Sequence, residues 1–127
     1  MIYIDSTLKH EWNLMFNEMI CAVLEEKGLS CYLPQRDTDQ TAGRKAIFEQ
    51  NMKALDRSTH LLAIGSNETP NWGFEIGLSY ATRRVVILAM NNHALPLMNE
   101  FAADELMLVD DLDDINSYID KLTRILS

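Results

Sequence analysis

A single carboxylate, Glu75, lies in a short segment, 71–80, that also carries glycine and aromatic residues. The polar stretch before it predicts a loop and the apolar spacing after it predicts a helix, so we expect Glu75 at the first turn of that helix. Gly73 leaves room for close approach of the backbone to a ligand, while Trp72 and Phe74 supply apolar walls. This combination suits chemistry on a ring-bearing substrate. The alternative is a helix-start glutamate that only interacts with the helix dipole.

Further acidic residues follow two of the apolar runs that we expect to form strands. Asp5 comes directly after the first run, and Asp37 and Asp39 come shortly after the second. A residue that follows a central strand usually points at the ligand site of a parallel sheet, so Asp5 is the stronger candidate. Tyr3 lies on the same strand and either places its hydroxyl near Asp5 or packs in the core. For Asp37 and Asp39, an ordinary surface loop is an equally good interpretation.

The elements that must position these residues follow from an alternation of short apolar runs with longer amphipathic stretches. Over residues 1–127 this alternation predicts a single α/β domain. We expect a flavodoxin-like three-layer sandwich with a five-stranded parallel sheet in the order 2-1-3-4-5. Strands are predicted at 2–4, 29–33, 60–64, 84–90 and 106–109, and helices at 8–27, 44–57, 75–82, 94–103 and 110–126, with 35–43 as a loop.

This strand order also predicts where a ligand would bind. In such sheets ligands lie beyond the carboxyl ends of the strands, at the switch point between strands 1 and 3. The segments 5–8, 34–39 and 65–75 converge there in the predicted fold. Glu75 therefore falls where a binding site is expected.

Composition and motifs exclude several classes of function. The net charge of −8 argues against nucleic-acid binding, although local cations could still hold a small phosphorylated ligand. The chain has no GxGxxG or GxxxxGK[ST] motif to cradle a nucleotide phosphate, and its histidines and cysteines lack metal-ligand spacing. We therefore predict no cofactor and no metal. In the absence of a signal peptide or a membrane-length apolar run, we predict a cytoplasmic chain that does not bind membranes.

Several motifs resemble the nucleoside 2-deoxyribosyltransferase-like family. They are the opening Ile2-Tyr3-Ile4, the helix segment Ile47-Phe48-Glu49-x-Asn51, the strand 60–64 and, above all, Trp72-Gly73-Phe74-Glu75-Ile76-Gly77. In that family a glutamate attacks the anomeric carbon of a nucleoside, expels the base and forms a glycosyl-enzyme, which water or a second base then resolves. The resemblance implies that Glu75 is this nucleophile, and that the chain cleaves or transfers across an N-glycosidic bond.

The resemblance also suggests roles for the residues around Glu75. Departure of the base needs a proton, which Asp5, or one of Asp37 and Asp39, would provide. Aromatic side chains would hold the base or exclude water, and polar side chains would contact the nucleoside or nucleotide substrate. The expected substrate-binding residues are Tyr3, Asp37, Asp39, Asn51, Asn71, Trp72, Gly73 and Phe74.

The chain departs from the family pattern at positions that hold sugar and base. It has Asp5-Ser6-Thr7 where the family has a Gly-containing turn, Asn51 where the family has an aspartate, and Ser58-Thr59 where an Ala-Asp pair enters the third strand. We therefore expect N-glycoside chemistry to be retained more firmly than specificity for deoxyribonucleosides. Hydrolysis is as well supported as transfer.

Two alternative functions remain open. The run 57–66, followed by Trp72 and Glu75, is also similar to TIR domains, whose catalytic members use a comparable glutamate to cleave the nicotinamide–ribose bond of NAD. The other alternative is a non-catalytic nucleotide-binding or sensing module on the same fold.

Members of the transferase family form dimers or larger assemblies in which the segment after strand 4, here 93–103, completes a neighbour's site. The resemblance thus implies a homo-oligomer.

Overall fold

The computed structural model describes all residues, 1–127, and is built on a five-stranded sheet in the order β2-β1-β3-β4-β5. All neighbouring strands run parallel. The predicted α/β fold class and the predicted strand order are therefore confirmed. The strands are β1 (Ile2–Asp5), β2 (Cys31–Tyr32), β3 (His60–Gly65), β4 (Arg84–Met90) and β5 (Glu105–Val109).

Helices cover both faces of the sheet, as the right-handed crossovers between parallel strands require. One hydrophobic core lies under α1 and α6, and a second lies under α3 and α4. The middle strands are apolar on both faces because both faces are covered. The helices are α1 (Glu11–Glu26), α2 (Pro34–Asp37), α3 (Arg44–Arg57), α4 (Pro70–Ser79), α5 (Leu97–Ala102) and α6 (Ile119–Leu126).

The alternation of side chains along β1 decides which residues can reach a common site. Ile2 and Ile4 pack into the core under α1 and α6, whereas Tyr3 packs into the core under α3 and α4. Side chains two residues apart on a strand share a face. Asp5, the last residue of β1, therefore lies on the same face as Tyr3, beneath α3 and α4.

One expectation about Glu75 is wrong: it does not stand at the first turn of a helix. Helix α4 begins earlier than the sequence suggests, because the Thr69 hydroxyl accepts a hydrogen bond from the Trp72 amide and Pro70 occupies the first turn. Proline is well tolerated there, since the first helical amides have no partner within the helix. Glu75 is the sixth residue of α4 and lies in its second turn.

Other boundaries also shift. The short helix α2 begins at Pro34 and extends into the predicted loop at 35–43, and β2 is reduced to two residues. The last helix begins only at Ile119, after a 3-10 turn at Ile115–Ser117, because the acidic stretch 110–114 forms turns instead. None of the helices has the length and hydropathy required to span a lipid bilayer.

Candidate active site

A cavity of about 240 Å³ opens at the carboxyl end of β1, between the loop that follows this strand and helices α3 and α4, in the region where the switch point is predicted. Its walls come from the end of β1 and the loop after it, from the loop around α2, from α3 and from the first two turns of α4. Its lining residues are Tyr3, Ile4, Asp5, Ser6, Thr7, Leu8, Lys9, Pro34, Gln40, Ile47, Asn51, Thr69, Asn71, Trp72 and Glu75.

Three side chains with buried oxygens form the centre of the cavity: Tyr3, Asp5 and Glu75. The first two share a face of β1, and the third comes from the helix packed over that face. Helix α4 buries Trp72, Ile76 and Ser79 against the sheet. Helical spacing places Glu75 on the same side, one turn from Trp72.

Several polar atoms of this centre make no hydrogen bond of ordinary geometry within the protein. The Tyr3 hydroxyl, Asp5 Oδ2 and Glu75 Oε2 are all buried, and none makes a hydrogen bond of ordinary geometry. The indole nitrogen of Trp72, buried at the wall of the same cavity, is also unpaired. Buried polar groups in folded proteins are nearly always satisfied. We infer that these atoms face a ligand or water.

Burial also shifts the ionisation of the three groups. It raises the pKa of Asp5 well above its ordinary value, and the negative charge of Glu75 raises it further. Burial raises the pKa of Glu75 too, although interactions with Tyr3 and Asp5 oppose part of that rise. The pKa of Tyr3 is raised by burial and by Glu75, so this hydroxyl keeps its proton. Such shifts are common at catalytic sites.

A series of contacts connects Tyr3 to the cavity residue Asn51 through β2. The rings of Tyr3 and Tyr32 stack with centroids 5.6 Å apart and planes inclined by 13°. The Tyr32 hydroxyl bonds to the hydroxyl of the buried Thr38, which donates to Asn51 Oδ1 over 2.6 Å. This chain of bonds joins β2, the loop after α2 and α3. It fixes Asn51, whose predicted place beside the substrate is compatible with its position in the cavity wall.

The predicted residues Asp37 and Asp39 do not line the cavity. Asp37 Oδ2 accepts the Leu33 amide over 2.8 Å, and Arg36 pairs with the same carboxylate. Burial acts to raise the pKa of Asp37, but these contacts lower it overall. Asp39 is exposed and accepts the hydroxyl and amide of Thr41, which lowers its pKa. Both carboxylates therefore organise the turn around α2.

Gly73 and Phe74 also lie away from the cavity, on the side of α4 that faces α5 and solvent. The Gly73 carbonyl accepts a hydrogen bond from Asn99 of α5 over 3.3 Å. A Cβ at Gly73 would lie 3.4 Å from the same side chain, so the glycine permits close approach of the two helices. Phe74 is 50 % exposed. The structure thus brings together Tyr3, Asp5, Asn51, Asn71, Trp72 and Glu75 among the predicted site residues.

Several lining residues were absent from the sequence-based set. Ser6 and Thr7 follow Asp5, and the rule that selected Asp5 could have selected them as well. No comparable signal marks Gln40 or Thr69, because their positions depend on how the loops fold back. Lys9, at the exposed rim, is the only cationic side chain of the lining. No group of three or more His, Cys, Asp or Glu side chains is arranged to hold a metal ion.

The geometry can be compared with known proteins. The family model described as "Nucleoside 2-deoxyribosyltransferase like" matches residues 1–93, which contain every residue lining the cavity. The chain belongs to this family. The predicted resemblance is thereby confirmed. No curated protein sequence matches the chain.

Solved structures share the fold at low sequence identity. A 2-deoxyribosyltransferase from Bacillus psychrosaccharolyticus superposes with a TM-score of 0.74 at 16 % identity, covering 96 % of this chain and 94 % of that one. The CMP N-glycosidase from Clostridium botulinum superposes with a TM-score of 0.68, also at 16 % identity, covering 95 % and 98 % of the two chains. The family fold therefore extends over nearly the whole chain, including the part beyond residue 93.

Proposed function

We propose that this family member cleaves, or transfers across, the N-glycosidic bond of a nucleoside or nucleotide, with Glu75 as the nucleophile. The observation that carries the proposal is the buried, unpaired Oε2 of Glu75 in a cavity at the switch point. A carboxylate oxygen that makes no hydrogen bond of ordinary geometry can approach an anomeric carbon. The named activities of the two structural neighbours, a deoxyribosyltransferase and a CMP N-glycosidase, support the same bond type.

The proposed reaction has two steps. Glu75 forms a bond to the anomeric carbon while the carbon–nitrogen bond breaks. The electron pair of the carbon–nitrogen bond leaves with the base, which takes up a proton. The transition state resembles an oxocarbenium ion, which the adjacent carboxylate stabilises. Water, or a second base, then attacks the same carbon and releases Glu75. Asp5 is the second carboxyl that we place in the catalytic centre.

The lining suits a flat, polar base and its sugar. Trp72 supplies an aromatic wall with a free N–H, while Asn51, Asn71 and Gln40 present side-chain amides. Amides can pair with donors and acceptors on a base edge without adding charge. We propose these four residues, together with Tyr3, as the substrate contacts.

The first experiment is a substrate panel. Purified protein is incubated with nucleosides, 2′-deoxynucleosides, their monophosphates and NAD, and free base is separated by chromatography. We expect base release from at least one nucleoside or nucleotide, and a loss of about 10³-fold or more in Glu75→Gln. Glu68→Gln is the matched control, because Glu68 pairs with His93 outside the cavity and its loss should leave base release nearly unchanged.

The results separate the competing functions. Release of nicotinamide from NAD alone would favour the TIR-like alternative. Nucleotide binding without any base release, unchanged in Glu75→Gln, would overturn the enzyme proposal in favour of a binding module. A glycosyl-enzyme adduct on the peptide that contains Glu75, detected by mass spectrometry after acid quenching, would identify the nucleophile directly.

We also propose that the chain forms a homo-oligomer through α5. Its outer face exposes Leu97, Met98 and Phe101, the last two to 78 % and 76 %, and large exposed apolar side chains in a group mark contact surfaces. Through Asn99, α5 also touches Gly73, two residues before Glu75. Sedimentation velocity should show a dimer or larger species that Phe101→Asp converts to monomer. A monomeric wild type would contradict this assembly.

A further inference from the structure

The carboxyl groups of Asp5 and Glu75 lie in the same buried part of the cavity, and no cationic side chain lies beside them. Asp5 is only 2 % exposed, and neither Asp5 Oδ2 nor Glu75 Oε2 has a hydrogen-bond partner. The other ionisable groups of the cavity lining are Tyr3 from β1 and the exposed Lys9, which is not among the groups that shift the pKa of Asp5 or Glu75. The walls from α3, from the loop around α2 and from the start of α4 present only uncharged residues.

Burial and mutual repulsion both oppose the simultaneous ionisation of two neighbouring carboxyls. Each charge loses its hydration on burial, and the second charge is further opposed by the first. Paired carboxyls therefore titrate together, in two steps that belong to the pair. The environment of the two groups differs, because Asp5 is the more completely buried and Glu75 is approached by the Tyr3 hydroxyl.

We propose, on the basis of the proposed function, that Asp5 and Glu75 hold one proton between them, that this proton rests on Asp5, and that Asp5 carries it to the departing base. Glu75 is then the anionic member of the pair, which is the form that a nucleophile requires. Asp5 is the acid, stored next to the nucleophile.

The pair keeps a single negative charge through the cycle. When Glu75 bonds to the anomeric carbon, its charge is lost and the carbon–nitrogen electron pair moves to the base. The neighbouring anion that held the pKa of Asp5 up has then disappeared, so Asp5 becomes a stronger acid when the base needs a proton. Asp5 gives up its proton and becomes the anion. In the second step water attacks, Asp5 accepts the water proton, and Glu75 leaves as the carboxylate.

The first test does not depend on activity. Carbon-13 NMR of the side-chain carboxyl carbons follows the protonation of Asp5 and Glu75 directly in the free protein. In the wild type we expect one carboxyl of the pair to stay protonated well above the ordinary range near about pH 4, and both carbons to sense each step. In Asp5→Asn, Glu75 should titrate in a single step. Independent ionisation of both groups in the ordinary range would overturn the proposal.

The second test uses the pH dependence of base release and the identity of the leaving group. We expect the alkaline limb of the wild-type profile to disappear in Asp5→Asn, with a loss of about 10²-fold or more for ordinary bases. A 4-nitrophenyl glycoside of the accepted sugar leaves without protonation, so its cleavage by Asp5→Asn should fall less than about tenfold. Equal losses on both substrates, with the profile unchanged in shape, would reduce Asp5 to a structural residue.

The two proposals can fail separately. A paired titration by NMR with no base release from any substrate would leave the shared proton intact and remove the proposed reaction. Base release that depends on Glu75 but not on the ionisation of Asp5 would support the proposed reaction and overturn the shared proton. Asp37→Asn is the matched control, because this carboxylate is held by Arg36 and the Leu33 amide outside the cavity and should alter neither the titration of the pair nor the alkaline limb.

Discussion

Two polar clusters lie near the carboxyl ends of β1 and β3. They differ in whether their buried polar atoms are hydrogen-bonded. In the first, Asn13 of α1 is fully buried, donates to the Ser6 hydroxyl and the Ser66 carbonyl, and accepts from Asn67. In the second, Tyr3, Asp5 and Glu75 each have a buried oxygen that makes no hydrogen bond of ordinary geometry.

The difference indicates that the first cluster stabilises the fold, whereas the second has polar atoms available to a ligand. The Asn13 cluster ties the loops after both strands together with neutral hydrogen bonds, and so it fixes the rim of the cavity. The Asp5–Glu75 cluster carries unpaired atoms and shifted pKa values, which destabilise the folded protein and persist where function requires them. The two clusters therefore have opposite effects on the stability of the fold.

The largest effect on stability should come from the satisfied cluster. Asn13→Ala removes three hydrogen bonds and leaves the carbonyl of the partly buried Ser66 without this donor, so we expect a loss of about 2–4 kcal/mol in the free energy of unfolding. Urea denaturation measures this loss. Base release per folded molecule should change far less than it does in Glu75→Gln. A stability change below about 0.5 kcal/mol would show that the cluster is not structural.

A gain in stability is expected from the unsatisfied cluster. Because burial and Glu75 raise the pKa of Asp5 in the folded protein, the folded state binds more protons than the unfolded state above about pH 4. The free energy of unfolding therefore falls as the pH rises from there through the pKa of the folded pair. Asparagine has a similar shape and no charge, so Asp5→Asn should be more stable by about 1–3 kcal/mol at pH 8.

The pH dependence of that gain is the sharper part of the prediction. Thermal unfolding of Asp5→Asn and wild type at a series of pH values should show curves that converge below about pH 4, where the unfolded carboxyl is itself protonated. Asp37→Asn provides the opposite control. Its pKa is lowered in the folded protein, so its contribution to stability is present above the unfolded pKa, and this variant should be less stable than wild type at pH 8. A constant difference for Asp5→Asn would contradict the linkage.

Much of the fold could be predicted from the sequence because the signals are local. The alternation of apolar runs and amphipathic stretches is sufficient for the parallel sheet, its order and the placement of Asp5 and Glu75 at one edge. The helix at 44–57 matches the structure at both ends. These features need only the periodicity of side chains and the handedness of crossovers.

Other features depend on contacts that no local pattern reveals. Asp37 and Asp39 stand after β2 as the rule for parallel sheets requires, but the short helix α2 turns them away from the cavity. The start of α4 was hidden because Pro70 suggests a loop, whereas Thr69 caps the helix just before it. Gln40 reaches the cavity only because its loop folds back, held by a bond from its amide to the Pro34 carbonyl.

The smallest effects are expected from substitutions of the two stacked tyrosines, Tyr3 and Tyr32. The buried Tyr3 hydroxyl makes no hydrogen bond of ordinary geometry but interacts with the neighbouring Glu75, whereas the Tyr32 hydroxyl bonds to Thr38. Tyr3→Phe should therefore change the free energy of unfolding by less than about 1 kcal/mol, and Tyr32→Phe should lose about 1–2 kcal/mol. Only Tyr3→Phe should move the acidic limb of base release to higher pH, because the Tyr3 hydroxyl lowers the pKa of Glu75. Urea denaturation and pH–rate profiles of both variants measure these effects, and a shift produced equally by both would mean that the stack, rather than the unpaired hydroxyl, governs the nucleophile.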